Sequence, residues 1–188
     1  MVINKILRLN PNISPNPIPK VIRFSTAVLI SVLAFFVSAE DASGKYNRFA
    51  IRENTGEVLD TKTKLIWRRC TEGQAWDGAQ CRGGAAVFSW EDAQVRAKNI
   101  SEMEGVAWRV PEVGELKSLI GKNTSLKNNA WVDLEIFPES IPDWYWTSTV
   151  YSGDEKFAWV VDFFTGTWGY DLKTAALGGA LRLVRSAN

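Results

Sequence analysis

The 188-residue sequence contains no histidine, two cysteines and two methionines. Without histidine, the side chain best suited to proton transfer near neutral pH and the commonest metal ligand are both absent. Acid–base or metal chemistry would fall to carboxylates and lysines alone. Two cysteines with no short Cys-x-x-Cys spacing argue against a redox pair or a thiolate metal site. An excess of one charge is missing as well, since 22 Lys+Arg face 21 Asp+Glu. The basic residues are dispersed, so no strong attraction to nucleic acid, heparin or an anionic membrane is expected. There is no Gly-X-Y repeat, hence no collagen-like stalk, and no internal repeat or second linker.

Tryptophan, by contrast, is abundant: there are nine. Several lie in short apolar segments with ordered signatures: Leu65-Ile66-Trp67, Trp108-Arg109-Val110-Pro111, Tyr145-Trp146-Thr147-Ser148-Thr149 and Ala158-Trp159-Val160-Val161-Asp162-Phe163. Leu181-Arg182-Leu183-Val184-Arg185 closes the series. Large aromatics at ordered intervals define a specific core rather than a generic one.

Residues 1–39 read as a signal peptide. Lys5, Arg8, Lys20 and Arg23 supply positive charge, no acid precedes Glu40, and Ser25–Ala39 is almost wholly apolar. Val37-Ser38-Ala39 then offers a small-residue cleavage site. A membrane anchor is the rival reading, but the apolar run is shorter than the ~20 residues a spanning helix needs. The expected location is periplasmic, secreted or at the cell surface, with membrane association only if the leader stays uncleaved. Beyond Ala39, 18 Lys+Arg stand against 21 Asp+Glu, a net charge of −3. Residues 40–48 form a polar lead-in, and 49–188 are long enough for one domain with its own core. Export also makes a Cys70–Cys81 disulfide the expected state of the two cysteines.

Phe49–Glu53 and Glu57–Asp60 flank Asn54-Thr55-Gly56, a hairpin signal. Lys64–Arg69 reads as a further strand, with Leu65 and Trp67 on one face and Ile66 on the other. Ser89 caps a helix whose Trp90, Ala93 and Ala97 share a face. A second helix is expected from Pro111 to Gly121, with Leu116, Leu119 and Ile120 inward. From Lys122 to Asp143 the period is lost, and isolated apolar residues anchor a long loop. Strand-like runs follow at Trp144–Val150, Phe157–Phe164, Thr167–Tyr170 and Ala180–Arg185. Strands, then two helices, then strands predict an α+β domain, with the terminal strands paired.

The ordered set resembles the bacterial Lcl C-terminal domain family, named after a collagen-like surface protein. The resemblance covers roughly Asn54 to Arg185. It rests on Thr55-Gly56, Leu65-Ile66-Trp67, Arg69-Cys70 with Gly73-Gln74, Trp76, Cys81, Gly83, Trp90 with Ala93, and Trp108-Arg109-Val110-Pro111 with Glu115-Leu116. Phe137-Pro138, Tyr145–Thr149, Ala158–Phe163 and Arg182-Leu183-Val184-Arg185 complete it. The resemblance implies a compact C-type-lectin-like fold with two helices, antiparallel strands and a long loop region facing ligand. It also implies an exported or cell-surface bacterial protein.

Calcium-dependent sugar binding needs clustered carboxylate and amide oxygens. The lectin tripeptides Glu-Pro-Asn, Gln-Pro-Asp and Trp-Asn-Asp do not occur, and Ile141-Pro142-Asp143 keeps only the Pro-Asp step. No metal and no cofactor are therefore expected. The formylglycine-generating enzymes, of related fold, depend on reactive cysteines, which a bridge would consume. Asp60, Glu115, Asp143, Asp154, Asp162 and Asp171 form no recognisable catalytic pair, so no catalytic residue is assigned. Arg109 is expected to stack and donate to buried carbonyls. Trp67, Trp90, Trp108, Trp146 and Trp159 are expected in the core, with Tyr145 pointing outward. That leaves Trp131, Trp144, Trp168 and Tyr170, beside irregular or glycine-bearing segments, as the expected ligand-binding aromatics. The expected function is a non-catalytic binding module for a surface glycan or an envelope protein. An enzyme akin to the formylglycine-generating group and a structural subunit of an envelope complex are the alternatives.

Overall fold

The computed structural model describes residues 48–121 and 130–187. The expected signal peptide, most of the lead-in and Leu126 of the long loop lie outside them.

The chain begins with β1 (Phe49–Arg52), β2 (Glu57–Asp60) and β3 (Leu65–Arg68), an antiparallel meander. Asn54 and Gly56 turn the first hairpin with φ of 65° and 66°. Gly56 has a second reason to lack a side chain, because a Cβ there would lie 2.7 Å from the Trp76 ring. β11 (Val184–Ser186) pairs with β3, giving the order β1-β2-β3-β11. The terminal strands thus share a sheet without touching. The central partner of β11 is β3, because Trp67 and Val184 bury their side chains together. A bridge between Arg109 and Val184 flanks β11 on its other side.

Next come β4 (Ala75–Trp76) and β5 (Cys81–Arg82), a short ribbon closed by the Cys70–Cys81 disulfide with its Cα atoms 5.4 Å apart. A five-stranded sheet follows, in the order β6-β10-β7-β8-β9. Its strands are β6 (Val87–Phe88), β7 (Trp144–Val150), β8 (Phe157–Asp162), β9 (Thr167–Leu172) and β10 (Gly179–Ala180). Its pairings are antiparallel except β10–β7. The architecture is α+β, as the element order predicts.

Helix α1 (Trp90–Glu104) starts where the Ser89 hydroxyl accepts from the Asp92 N–H, and ends at Gly105, whose φ is 65°. Helix α2 (Val113–Lys117) begins two residues later than Pro111 suggests. Glu112, in extended backbone, takes the cap position, and its N–H donates to the Glu115 carboxylate at 2.7 Å. Turns rather than helix carry the chain on to the Ile120–Val132 bridge.

Two cores lie on opposite faces of the strands. Trp67, Leu116, Val132, Phe137, Tyr145 and Val161 belong to one, and Ile66, Ala97, Ile100, Trp146, Val160 and Leu183 to the other. Leu65 and Trp67 therefore face one way and Ile66 the other, as their alternation indicates. Tyr145 does not point outward. It is fully buried, because the loop and α2 cover the face opposite α1. Fully burying each large side chain contributes roughly 1.5–3 kcal/mol.

Arg182 ties the layers together from a fully buried position. Its guanidinium donates to the carbonyls of Arg68 and Arg69, to the Thr71 hydroxyl (3.2 Å) and to Ser140 Oγ (2.7 Å). It also lies 4.8 Å from the centre of the Phe137 ring. Arg69 similarly pins the long loop, donating to the Ile136 carbonyl at 2.8 Å and the Glu135 carbonyl at 2.9 Å. A guanidinium fork suits such convergent carbonyls better than an ammonium.

Candidate ligand-binding surface

Strand β9 alternates, and its apolar side chains Trp168, Tyr170 and Leu172 fall on one face of the sheet. All three are exposed, Trp168 and Tyr170 by half. Register places Trp168 opposite Val161 and Tyr170 opposite Trp159. Their face is thus the one that carries the Val161 core further along the sheet. Helix α2 is short and covers only part of that face, reaching Trp168 through Lys117, whose Nζ lies 3.5 Å from the ring centre.

Tyr170 is held by other rings. Tyr151 stacks on it with centroids 4.0 Å apart and planes at 13°, while Phe157 and Trp159 approach edge-on at 5.6 and 6.0 Å. Tyr151 can fold back in this way because residue 153 is glycine, where a Cβ would lie 2.5 Å from the ring. Trp159 is accordingly only half-buried and belongs to this outer aromatic group, not to the closed core expected of it. Tyr151, Phe157 and Lys117 were not among the expected site residues. The signal for Phe157 was its period-two relation to Trp159, whereas Lys117 is brought in only by tertiary packing.

Trp131 and Trp144 are also exposed, at 42% and 44%. Trp131 lies over Gly166 of the β8–β9 turn, where φ is 70° and a Cβ would meet the indole at 2.7 Å. The backbone N–H of Trp131 donates to Phe163 O at 2.6 Å. Trp144 pairs with Asp162 and shares the pleat direction of Trp146, so it lies on the opposite face from Trp168 and Tyr170. The four aromatics do not form one platform. Two share a face of β9, one covers the adjacent turn and one faces away.

A polar cleft of about 350 Å³ opens elsewhere, lined by Arg68, Glu72, Trp76 and Glu104 among others. Its charges are mutually engaged. Glu72, 4% exposed, accepts from Arg68 at 3.4 Å and Arg96 at 3.1 Å. Glu104 accepts from Arg68 and from Trp108 Nε1. Burial pushes the Glu104 carboxyl up, but Arg68 and Trp108 outweigh it and hold it below the ordinary glutamate value. Such a cleft offers little unpaired charge to a ligand.

The six acidic residues weighed as catalytic candidates are engaged in structure. Asp60 binds Arg48 through both oxygens, at 3.1 and 2.6 Å. Glu115 takes Arg109 in a two-point bond with both distances 2.7 Å. Arg109 thus pairs chiefly with a carboxylate, its bond to the Val110 carbonyl being long at 3.4 Å. Asp143, Asp154, Asp162 and Asp171 accept from nearby backbone N–H groups. Among the described residues no cluster of three potential metal-ligating side chains occurs. No helix among them is long and apolar enough to cross a membrane.

Residues 56–185 match the Lcl C-terminal domain. The chain belongs to that family. Neither the curated proteins nor the solved structures contain a match. In this Lcl C-terminal domain the ordered signatures divide by role. Trp67, Trp108, Trp146 and Arg182 build the interior, while Thr147-Ser148-Thr149 leaves the regular β7 ladder. There the Trp90 indole N–H donates to Thr147 O at 2.8 Å and the Ser148 N–H donates to Pro111 O at 2.8 Å.

Proposed function

We propose that this Lcl C-terminal domain is an exported, non-catalytic binding module that recognises a surface glycan through the β9 aromatic stripe. The observation that carries the reading is the pair Trp168 and Tyr170. They are half-exposed on one face and are steadied by Lys117 and Tyr151. Rings already fixed by neighbours lose little freedom when a sugar ring stacks on their remaining surface. Lys117, against the Trp168 ring, offers a donor for hydroxyls. The non-catalytic reading is supported by the disulfide, which consumes both cysteines, and by carboxylates engaged with arginines or turns. Trp131 beside the adjacent turn is a secondary contact, and Trp144 on the other face belongs to a separate surface.

A glycan array and a peptide array probed with the purified protein test the proposal. Binding to defined glycans that is lost in Trp168→Ala supports it. Binding confined to peptides transfers the surface to a protein partner, and silence on both arrays removes the ligand role from β9.

A further inference from the structure

β9 closes one side of the five-stranded sheet and is the longest edge strand among the described residues. From Thr167 to Leu172 it carries no proline and no lysine, which commonly stop an edge from pairing. The phase of its hydrogen bonds follows from Lys173, whose N–H donates to Lys156 O at 3.0 Å. Residues of the same parity, Thr167, Gly169 and Asp171, therefore bond toward β8. The N–H and C=O groups of Trp168 and Tyr170 point out of the sheet. Leu172 points the same way, but its carbonyl accepts from the Ala175 N–H and its own N–H donates to the Asp171 carboxylate. Two residues thus hold an outward set of backbone groups ready for one more strand.

Among the described residues, nothing within a single chain calls for a glycine at position 169. Its φ is not positive, and a Cβ there would meet nothing within 4 Å. A mid-strand glycine weakens its own strand, and it often marks a place where another backbone comes close.

We propose that β9 pairs antiparallel with β9 of a second copy of this chain, about a two-fold axis at Gly169. Trp168 of one copy then exchanges both hydrogen bonds with Tyr170 of the other, and the symmetric pair does the same. The two glycines meet at the close, non-hydrogen-bonded position, with Cα atoms ~4.5 Å apart. Thr167 faces Asp171, so no like charges are opposed. An axis at Tyr170 would call on the engaged groups of Leu172, and one at Asp171 would set two carboxylates against each other. The pairing is independent of any ligand, although it would run the two aromatic stripes into one.

The test is sedimentation velocity of the purified protein over roughly 1 μM to 1 mM, a span suited to a small edge interface. The expected result is an average mass rising toward twice that of the chain. Gly169→Glu and Gly169→Lys each place like charges at the axis, in space that a single chain leaves open, so each is expected to keep its melting temperature and stay monomeric. An equimolar mixture of the two is expected to associate again. A parent chain that stays monomeric throughout overturns the proposal. So do charge variants that associate alone, and a mixture that fails to associate. Amide exchange of the unaltered chain gives a second reading. Protection of Trp168 and Tyr170 that rises with concentration supports the pairing, and concentration-independent exchange overturns it.

Discussion

At the scale of single residues, the interior is organised by arginines as much as by tryptophans. Arg182 is fully buried, and burial pushes its guanidinium below its ordinary value while Tyr145 and Glu72 act against that. It stays charged all the same, since an arginine begins far above neutral pH. Arg182→Lys keeps the charge but loses the planar fork, leaving some of the Arg68, Arg69, Thr71 and Ser140 oxygens without a donor. Denaturant titration is expected to show a loss of roughly 2–4 kcal/mol. A loss below half a kcal/mol would mean that water or a shifted ammonium replaces the fork. Asp60 provides a second case, with a definite sign. Burial raises its pKa, but hydrogen bonds from Arg48 and Thr63 and the Arg48 charge bring it below the ordinary 3.8. A depressed folded pKa contributes stability that is complete above the unfolded value and lost as pH falls through the folded one. Glu104 and Glu115 are depressed as well and act in the same direction. The melting temperature is therefore expected to fall as pH drops from 5 toward 2. In Asp60→Asn the fall should be shallower, from a start lower by roughly 2 kcal/mol at neutral pH. An unchanged slope in that variant would take Asp60 out of the acid transition.

At the scale of elements, the β4–β5 ribbon shows how little apolar surface can hold a loop when it is covalently closed. The ribbon has two residues per strand, and Trp76 packs under Gly56 with Arg69 4.5 Å from its ring centre. Asp77 tightens the turn, its carboxyl lowered to about 2 chiefly by the hydrogen bond from Arg82. Replacing Cys70 and Cys81 together by alanine is expected to cost roughly 3 kcal/mol in the chain-entropy model. Equilibrium unfolding checks this, and an unchanged midpoint would mean that Trp76 and Arg69 hold the loop alone. This disulfide was legible from two cysteines in a chain expected to be exported, and the Leu65-Ile66-Trp67 alternation was legible from period two. Tyr145 was misjudged because alternation separates faces without saying that both are covered. Trp159 was misjudged for the complementary reason. A strand sequence does not reveal that α2 is only five residues long and leaves the far part of that face to aromatics packing on one another. Pro111 marked the α2 region but not its start, since Glu112 supplies the cap. The exposure of Trp168 and Tyr170 could be anticipated from their glycine-bearing surroundings. Their separation from Trp144 depends on register, which a sequence without a structure does not give.

At the scale of the whole molecule, the proposed function assigns stability and recognition to different aromatics, and this separation can be measured. Trp146 is 1% exposed, and its indole N–H donates to Phe88 O at 2.8 Å. Trp146→Ala removes a packed ring and that carbonyl's indole donor, at a cost of roughly 3–5 kcal/mol. Trp168 is half-exposed, and truncating it removes less buried ring together with the contact with Lys117. Trp168→Ala is therefore expected to move the melting temperature far less than Trp146→Ala does. If its ring stacks on a sugar, the same change should remove roughly 1–3 kcal/mol of binding, a 5- to 150-fold rise in Kd. Tyr170→Ala is expected to lie between the two, since its ring also supports Tyr151 and Trp159. Calorimetric titration of a glycan chosen from the array, paired with thermal melts of the three variants, measures both quantities on the same samples. A Trp168→Ala protein that melts as early as Trp146→Ala would place the indole in the framework. One that keeps both its melting temperature and its Kd would leave β9 without a ligand, and the open strand edge would then be the feature to explain.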